Sequence, residues 1–396
     1  MRNTITTALL LGSVAPAIAA DFQLDYNAHL NMAFGQASTD EAELATHAHD
    51  PNDEFTLQGL EFNLSARYGE HLAGFVSYNT FLDERNKWDG EVEEAFLKIL
   101  EIPGGFEFRG GRLLNRVTSQ NTQHLHSWYF ADANLITTRF LGDEGLISDS
   151  LELSYRLPFE HDSLISVAYG NAVAHGDHGH GHGHGEEEHH DEDEDHHDED
   201  EDHGDEHEEH LEGEDALLQD EIISARLKGI YYHTDFQSLT YGLSYLTGKN
   251  GYKKRGHIVG TDLTYQWREN GLESGGKHLR ATIEPIYRDF DYVSEDGDIN
   301  GSANEWGLHT GIGWGFRELW ELGLRYDYLQ GVGEPIEHLQ KRQRGTLALT
   351  RQYTVNDLLG GHVRLQYNRD WRDGMGHEDA VWLQLQFDLG TGNEVR

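Results

Sequence analysis

The stretch VWLQLQFD at residues 381–388 shows the pattern that decides the fold. Large apolar side chains alternate with polar ones, which is the period-two signature of a β-strand with two different faces. One face carries Val381, Leu383, Leu385 and Phe387, and the other carries Trp382, Gln384, Gln386 and Asp388. Such a strand separates an apolar environment from a polar one.

The same alternation recurs along the chain, for example at residues 278–284 and 362–368. A soluble β-sandwich would also alternate, but its apolar face would form the core. Here the polar face repeatedly carries charged residues such as Arg280, Glu284 and Arg364. Charged side chains at these positions suit the water-filled lumen of a membrane barrel.

Composition and strand number favour the same architecture. Gly is abundant at 45, Pro is scarce at 6, and the chain has 18 Tyr, 16 Phe and 8 Trp. We predict an all-β fold, a transmembrane antiparallel β-barrel of about 16 strands. The number of alternating segments is even, as a closed bacterial barrel requires. The predicted strands are 22–34, 55–68, 70–82, 91–100, 105–112, 149–157, 162–172, 219–232, 234–248, 254–268, 277–292, 302–316, 318–331, 340–353, 357–371 and 378–389.

The connections between these strands alternate between tight turns and longer loops. With the N-terminus in the periplasm, the tight turns lie on the periplasmic side and the longer loops outside the cell. The third external loop, 113–148, is long and less polar, and we expect it to fold inward as a constriction loop. The fourth, 173–218, contains the most unusual sequence of the chain.

That fourth loop includes the tract HGDHGHGHGHGEEEHHDEDEDHHDEDEDHGDEHEEH at residues 175–210. It lacks the apolar side chains needed to offset the cost of ordering its backbone, so we expect a disordered, His/Asp/Glu-rich external loop. Imidazole and carboxylate groups at this density are ligands for divalent metal ions, zinc above all. The candidate ligands are His175, His178, His180, His182, His184, His189, His190, His196, His197, His203, His207 and His210.

The choice of zinc depends partly on availability, because copper binds such ligands more tightly and nickel is close. Neutral imidazole is the ligand, so affinity is expected to fall as pH drops through about 6.5. The alternative is a solvated acidic spacer with incidental histidines. Acidity alone would not require twelve of the 26 histidines in one tract, so we favour metal handling.

Two smaller groups add candidate ligands. His47 and His49 lie in the first external loop and offer a second capture point. His124, His126 and Asp132 lie in the expected constriction loop, where they would form a transient metal site on the permeation path. The alternative for this loop is ordinary packing, with Trp128, Phe130 and Phe140 as a small core.

The N-terminus and the overall charge restrict the location and the partners. Residues 1–20 have a basic start, an apolar middle and an A-x-A-like end, which predicts a cleaved signal peptide. The remaining 21–396 would form the barrel in the outer membrane of a Gram-negative cell, in contact with its lipids. The formal charge is −41, and no cysteine is present. The absence of cysteine excludes thiolate metal sites, and the negative charge argues against nucleic acid as a partner.

Several motifs resemble those of the family of zinc-regulated outer-membrane porins. They are Gly110-Gly111-Arg112, Leu114-Asn115-Arg116, the HLHSW segment at 124–128, Asp132 and the segment 141–146. The resemblance is specific at residues 105–155 and in the His-rich insertion. It implies an outer-membrane barrel used in zinc acquisition.

We therefore expect a porin-like channel that captures zinc, or another divalent metal, through the His-rich loop and lets it diffuse into the periplasm. Two alternatives remain open: a metal-sequestering or sensing barrel without an open channel, and a general cation-preferring porin. We expect no enzymatic activity, although His124, Ser127 and Asp132 are residue types that could form a hypothetical catalytic triad. No prosthetic group is expected, and family analogy suggests a homotrimer.

Overall fold

The computed structural model describes most of the expected barrel. The described residues are 22–38, 55–82, 87–143, 145–159, 161–173, 211, 213–271, 273, 275–294, 297–333, 336 and 339–390. The expected signal peptide at 1–20, His47, His49 and all twelve histidines of the tract at 175–210 lie outside these residues.

Sixteen antiparallel strands form one closed barrel, in which each strand pairs with its neighbours in the chain and β1 pairs with β16. The predicted barrel and its strand number are confirmed, and no predicted strand end is displaced by more than three residues. The strands are β1 Phe22–Ala37, β2 Phe55–Tyr68, β3 Leu72–Leu82, β4 Trp88–Ile102, β5 Phe106–Leu114, β6 Ile147–Arg156, β7 Asp162–Ala172, β8 Leu218–Thr234, β9 Gln237–Asn250, β10 Arg255–Arg268, β11 His278–Val293, β12 Asn300–Arg317, β13 Trp320–Leu329, β14 Arg342–Asn356, β15 Leu359–Arg372 and β16 Gly376–Gly390.

The two faces of the strands are oriented as the alternation predicts. In β16, Val381 is 48% exposed and Leu383 is 40% exposed, whereas Gln384 and Gln386 are buried inside the barrel. Apolar side chains are similarly exposed on the outer face of every strand from β1 to β16. An apolar exterior around a polar interior is the arrangement that a barrel in lipid requires.

The connections also differ between the two ends of the barrel. One end has short turns, such as those at 69–71, 235–236 and 357–358, and the chain enters and leaves the barrel there. The other end has the long connections, including 115–146 and 173–217. Within the described part of the chain, no helix is long and apolar enough to cross a membrane.

A charge placed on the outer face tests whether this face contacts lipid. Leu365 lies in the middle of β15 and is 50% exposed, and Leu358 in the β14–β15 turn is 49% exposed. We expect Leu365→Arg to lower the free energy of unfolding in lipid vesicles by about 2–4 kcal/mol, because a cation near the bilayer centre is costly. Leu358→Arg, the matched control, should change it by less than about 1 kcal/mol. Equal effects at both positions would contradict a lipid-facing belt.

Candidate functional site

The loop between β5 and β6, residues 115–146, lies inside the barrel, and we call it the inward loop. It contains a short 3-10 turn, Leu125–Ser127, and one helix, α1, Leu135–Leu141. Its backbone is bonded to two separate strands of the barrel. The Ser119 backbone N–H donates to Glu284 of β11, and the Ala131 N–H donates to Gln366 of β15.

Helix α1 fixes one side of the inward loop by capping and by apolar packing. The Asn134 side chain caps the helix by accepting a hydrogen bond from the Thr137 N–H at 2.8 Å. Ile136 and Phe140 pack closely over Gly307 of β12, where a Cβ atom would lie 2.8 Å from the Ile136 side chain. The apolar cluster around the helix comprises Val117, Leu135, Ile136, Phe140, Leu141, Leu146, Leu218, Ile222, Leu246, Ile258, Ile286 and Leu329.

The aromatic side chains of the loop do not form the single small core that the packing alternative proposed. Trp128 packs with Leu125 and Ala133, whereas Phe140 belongs to the larger cluster around α1. Phe130 is buried beneath the guanidinium of Arg325, 4.8 Å from the ring centre. The loop is therefore attached to the barrel at several separate places.

Asp132 is the most strongly bonded residue of the inward loop. Its carboxylate accepts hydrogen bonds from Arg325 Nη2 at 2.8 and 2.9 Å and from Arg344 Nη1 at 2.7 Å. Gln366 Nε2 and Asn368 Nδ2 donate to it at 2.6 and 3.1 Å. All five residues are buried. Asp132 is thus an anchor to β13–β15, and its carboxylate is occupied by cationic and amide donors.

His124 lies beside a different part of the wall, formed by β2 and β4, among three glutamates. Its Nδ1 atom is 2.9 Å from Glu61 Oε1 and 2.7 Å from Glu93 Oε2, and its Nε2 atom is 3.0 Å from Glu94 Oε2. The ring is completely buried. Ser77 Oγ also donates to Glu93 at 3.0 Å. Among the described residues, Glu61, Glu93 and His124 form the group that could hold a metal ion, with ligand atoms within 4.8 Å of one another.

A β-bulge explains why two consecutive glutamates face this histidine. In the pairing of β3 with β4, Ser77 lies opposite Glu94 and Tyr78 lies opposite Val92, so Glu93 is an extra residue. The extra residue shifts the alternation, and Glu93 and Glu94 are both buried on the lumen face. The only sign of this in the sequence is two adjacent glutamates within an otherwise alternating strand.

A second histidine extends the cluster toward the chain termini. His126 Nδ1 lies 2.8 Å from Glu61 Oε2. Its ring stacks on His29 of β1 with centroids 3.7 Å apart and an interplanar angle of 6°. His29 Nδ1 in turn lies 2.8 Å from Asp388 Oδ1 of β16. Carboxylates and imidazoles therefore form one connected series from Glu94 to Asp388.

The structure brings together some of the expected site residues and separates others. The rings of His124 and His126 are 6.0 Å apart. Asp132, which the sequence grouped with them, is instead paired with Arg325 and Arg344. Sequence reasoning missed five members of the cluster, because barrel pairing brings them together over long distances in the chain: His29, Glu61, Glu93, Glu94 and Asp388.

The same contacts test the hypothetical catalytic triad of His124, Ser127 and Asp132. Both ring nitrogens of His124 face glutamates, and the carboxylate of Asp132 faces arginines. A nucleophile, a base and an orienting carboxylate in mutual contact are what such catalysis requires. These three residues do not have that arrangement.

Comparison with known proteins identifies the fold. No protein family model matches the chain. An uncharacterized protein of Aquifex aeolicus is 36% identical over 67 residues, which are 17% of this chain and 14% of that relative's length.

Solved structures match over almost the whole chain. The outer-membrane channel DcaP of Acinetobacter baumannii has a TM-score of 0.55 at 11% identity, covering 93% of this chain and 97% of that one. An anion-selective porin from Comamonas acidovorans has 0.52 at 11%, covering 93% and 100%. The trimer form of OmpT of Vibrio cholerae has 0.51 at 11%, covering 92% and 99%. The fold is that of outer-membrane porins.

Removing the Asp132 carboxylate should release the inward loop from β13–β15. We expect Asp132→Ala to lower the free energy of unfolding by about 3–5 kcal/mol, because Arg325 and Arg344 would remain buried without their shared anion. Asp149→Ala is the matched control, since the Asp149 side chain is 64% exposed beside Arg112. Its effect should stay below about 1 kcal/mol. Urea unfolding in vesicles measures both, and a small loss for Asp132→Ala would show that the anchor is dispensable.

Proposed function

We propose that the protein is an outer-membrane, porin-like channel that captures zinc, or another divalent metal, and lets it diffuse into the periplasm. The observation that carries the proposal is the position of the two ends of the His-rich tract. Before the tract, the Val173 N–H donates to Ile147 at the loop end of the barrel. After it, Leu211 forms a bridge with Ile336 in the β13–β14 connection at the same end.

The tract would then lie beside the opening of the barrel interior. The inward loop starts and ends at the same rim and carries His124 and His126 into a cluster of glutamates. Metal collected by many weak imidazole and carboxylate ligands at the rim would therefore meet further ligands of the same kind inside. Passage through a channel requires such exchangeable sites, because tight binding at any one of them would trap the ion.

The protein would reside in the outer membrane. Residues 1–20 would be removed as a signal peptide, and the apolar exterior would contact outer-membrane lipids. We propose membership of the zinc-regulated porin family, no prosthetic group and no enzymatic activity. A homotrimer is proposed by analogy with the trimer form of Vibrio cholerae OmpT.

A barrel that sequesters or senses metal without conducting is the second candidate. This candidate is favoured by the segments that occupy the loop end of the lumen, because they narrow the space left for a channel. Besides the inward loop, residues 213–216 form a short 3-10 turn whose Ala216 carbonyl accepts from Arg288 of β11. Leu211 and Ala216 pack there with Phe290 and Ile336.

Planar-bilayer recording separates the two candidates. Because β2, β4 and β16 line a polar interior beside the inward loop, we expect stepwise single-channel currents from the purified protein in simple salt. Heat-unfolded protein from the same preparation is the control. A folded preparation that inserts but gives no current would favour the sequestering barrel.

Zinc uptake by cells tests the role of the tract. Removing residues 175–210 should reduce uptake at limiting zinc severalfold, because the ligands that concentrate the ion at the rim are lost. Replacing the twelve tract histidines with glutamine and keeping the acidic residues should have nearly the same effect. Uptake is measured with radioactive zinc in cells with equal amounts of barrel in the outer membrane.

The two variants distinguish the alternatives for the tract. Unchanged uptake after the deletion would favour a general porin. Reduced uptake after the deletion but not after histidine replacement would favour an acidic spacer that attracts cations by charge alone.

A further inference from the structure

We infer that the barrel interior contains a divalent-cation site whose ligands are Glu61 of β2, Glu93 of β4 and His124 of the inward loop. The inference deepens the proposed function. The role of this site in transport rests on that function. It replaces the grouping of His124 and His126 with Asp132, because Asp132 is bonded to arginines.

Glu61, Glu93 and His124 lie close enough together to share one ion. The ligand atoms of the three residues lie within 4.8 Å of one another, and all three side chains are buried. Zinc binds imidazole nitrogen and carboxylate oxygen at about 2.0–2.2 Å, so tetrahedral ligand atoms lie about 3.4 Å apart. The distances from His124 Nδ1 to Glu61 Oε1, 2.9 Å, and to Glu93 Oε2, 2.7 Å, are shorter than this, so a bound ion would require the carboxylates to move apart from the imidazole. Glu94, 3.0 Å from the other nitrogen of His124, orients the imidazole as outer carboxylates do in metal sites.

The charge of the cluster also favours a cation. The carboxylates of Glu61, Glu93 and Glu94 meet in a buried space with the imidazoles of His124 and His126. Arg109 lies 4.0 Å from Glu94 Oε1 and makes shorter bonds of 2.8 and 3.0 Å to Glu152. Buried carboxylates are costly unless cations compensate them. A divalent cation supplies that compensation at the point where the carboxylates converge.

The three ligands come from different parts of the barrel. The three residues come from β2, from the bulge of β4 and from the inward loop, so the site exists only when the loop lies inside the barrel. Side-chain exposure rises from 0% at His124 to 11% at His126, and from 11% at His29 to 34% at Asp388. This series of imidazoles and carboxylates leads from the buried site toward the end of the barrel with the short turns. It is an exit path for the same kind of ion.

Anomalous diffraction at the zinc edge tests the site directly. Crystals of the intact protein are grown with zinc chloride, and the map is calculated above and below the edge. We expect an edge-dependent peak about 2.0–2.2 Å from one oxygen each of Glu61 and Glu93 and from His124. Absence of a peak at these three residues would overturn the inference and would identify the cluster as a metal-free ion-pair network.

Two variants show whether the peak depends on the proposed ligands. Glu93→Gln keeps the size of the side chain, removes its charge, and should reduce the peak to background. The control is Glu284→Gln. Glu284 of β11 is also buried in the lumen, and it also contacts the inward loop by accepting hydrogen bonds from Ser119. Its peak should remain. A peak that persists in Glu93→Gln would contradict the ligand assignment, and the wild-type map decides the inference even where a variant does not fold.

Zinc uptake by the same variants separates this inference from the proposed function. A peak in the wild-type map together with equal uptake by wild type and Glu93→Gln would support the site and contradict its role in transport. Uptake that depends on the tract, with no peak at Glu61, Glu93 and His124, would overturn the site and leave the proposed function standing.

Discussion

The arrangement of the lumen depends on one buried interaction, the carboxylate of Asp132 held between the guanidinium groups of Arg325 and Arg344. The two arginines belong to β13 and β14, whereas Asp132 belongs to the loop between β5 and β6. Because all three groups are buried, separating them would leave uncompensated charge in the interior. The interaction therefore joins the inward loop to β13–β15, while α1 is held by its own apolar packing against the barrel wall.

With the loop held at β13–β15, its histidines reach the other wall, and the lumen acquires two sides of different chemistry. On one side arginines surround Asp132, and on the other the glutamates of β2 and β4 surround His124. A cation moving through the barrel would be attracted to the glutamates of the second side. On the first side, the Asp132 carboxylate is already paired with arginines. In the proposed function, this glutamate wall continues the chemistry of the His-rich tract into the lumen.

The sequence predicts the barrel well because strand alternation is a local property. Val381, Leu383 and Phe387 face outward and Gln384 faces inward, as period two requires. The same local rule fails at Glu93, because a bulge in the β3–β4 pairing changes which residues face the lumen. The partners of Asp132 were also beyond local reasoning, since Arg325 and Arg344 are 193 and 212 residues away in the chain. The metal-binding role of the tract at 175–210 stays a prediction from composition.

Zinc entry into sealed vesicles tests the central claim most directly. The purified full-length protein is inserted into liposomes that contain a fluorescent zinc indicator, and zinc chloride is added outside. The account predicts that fluorescence rises faster than in protein-free liposomes, without an energy source, because passage is passive. A folded, inserted protein that leaves the indicator signal equal to that of empty liposomes would contradict the account.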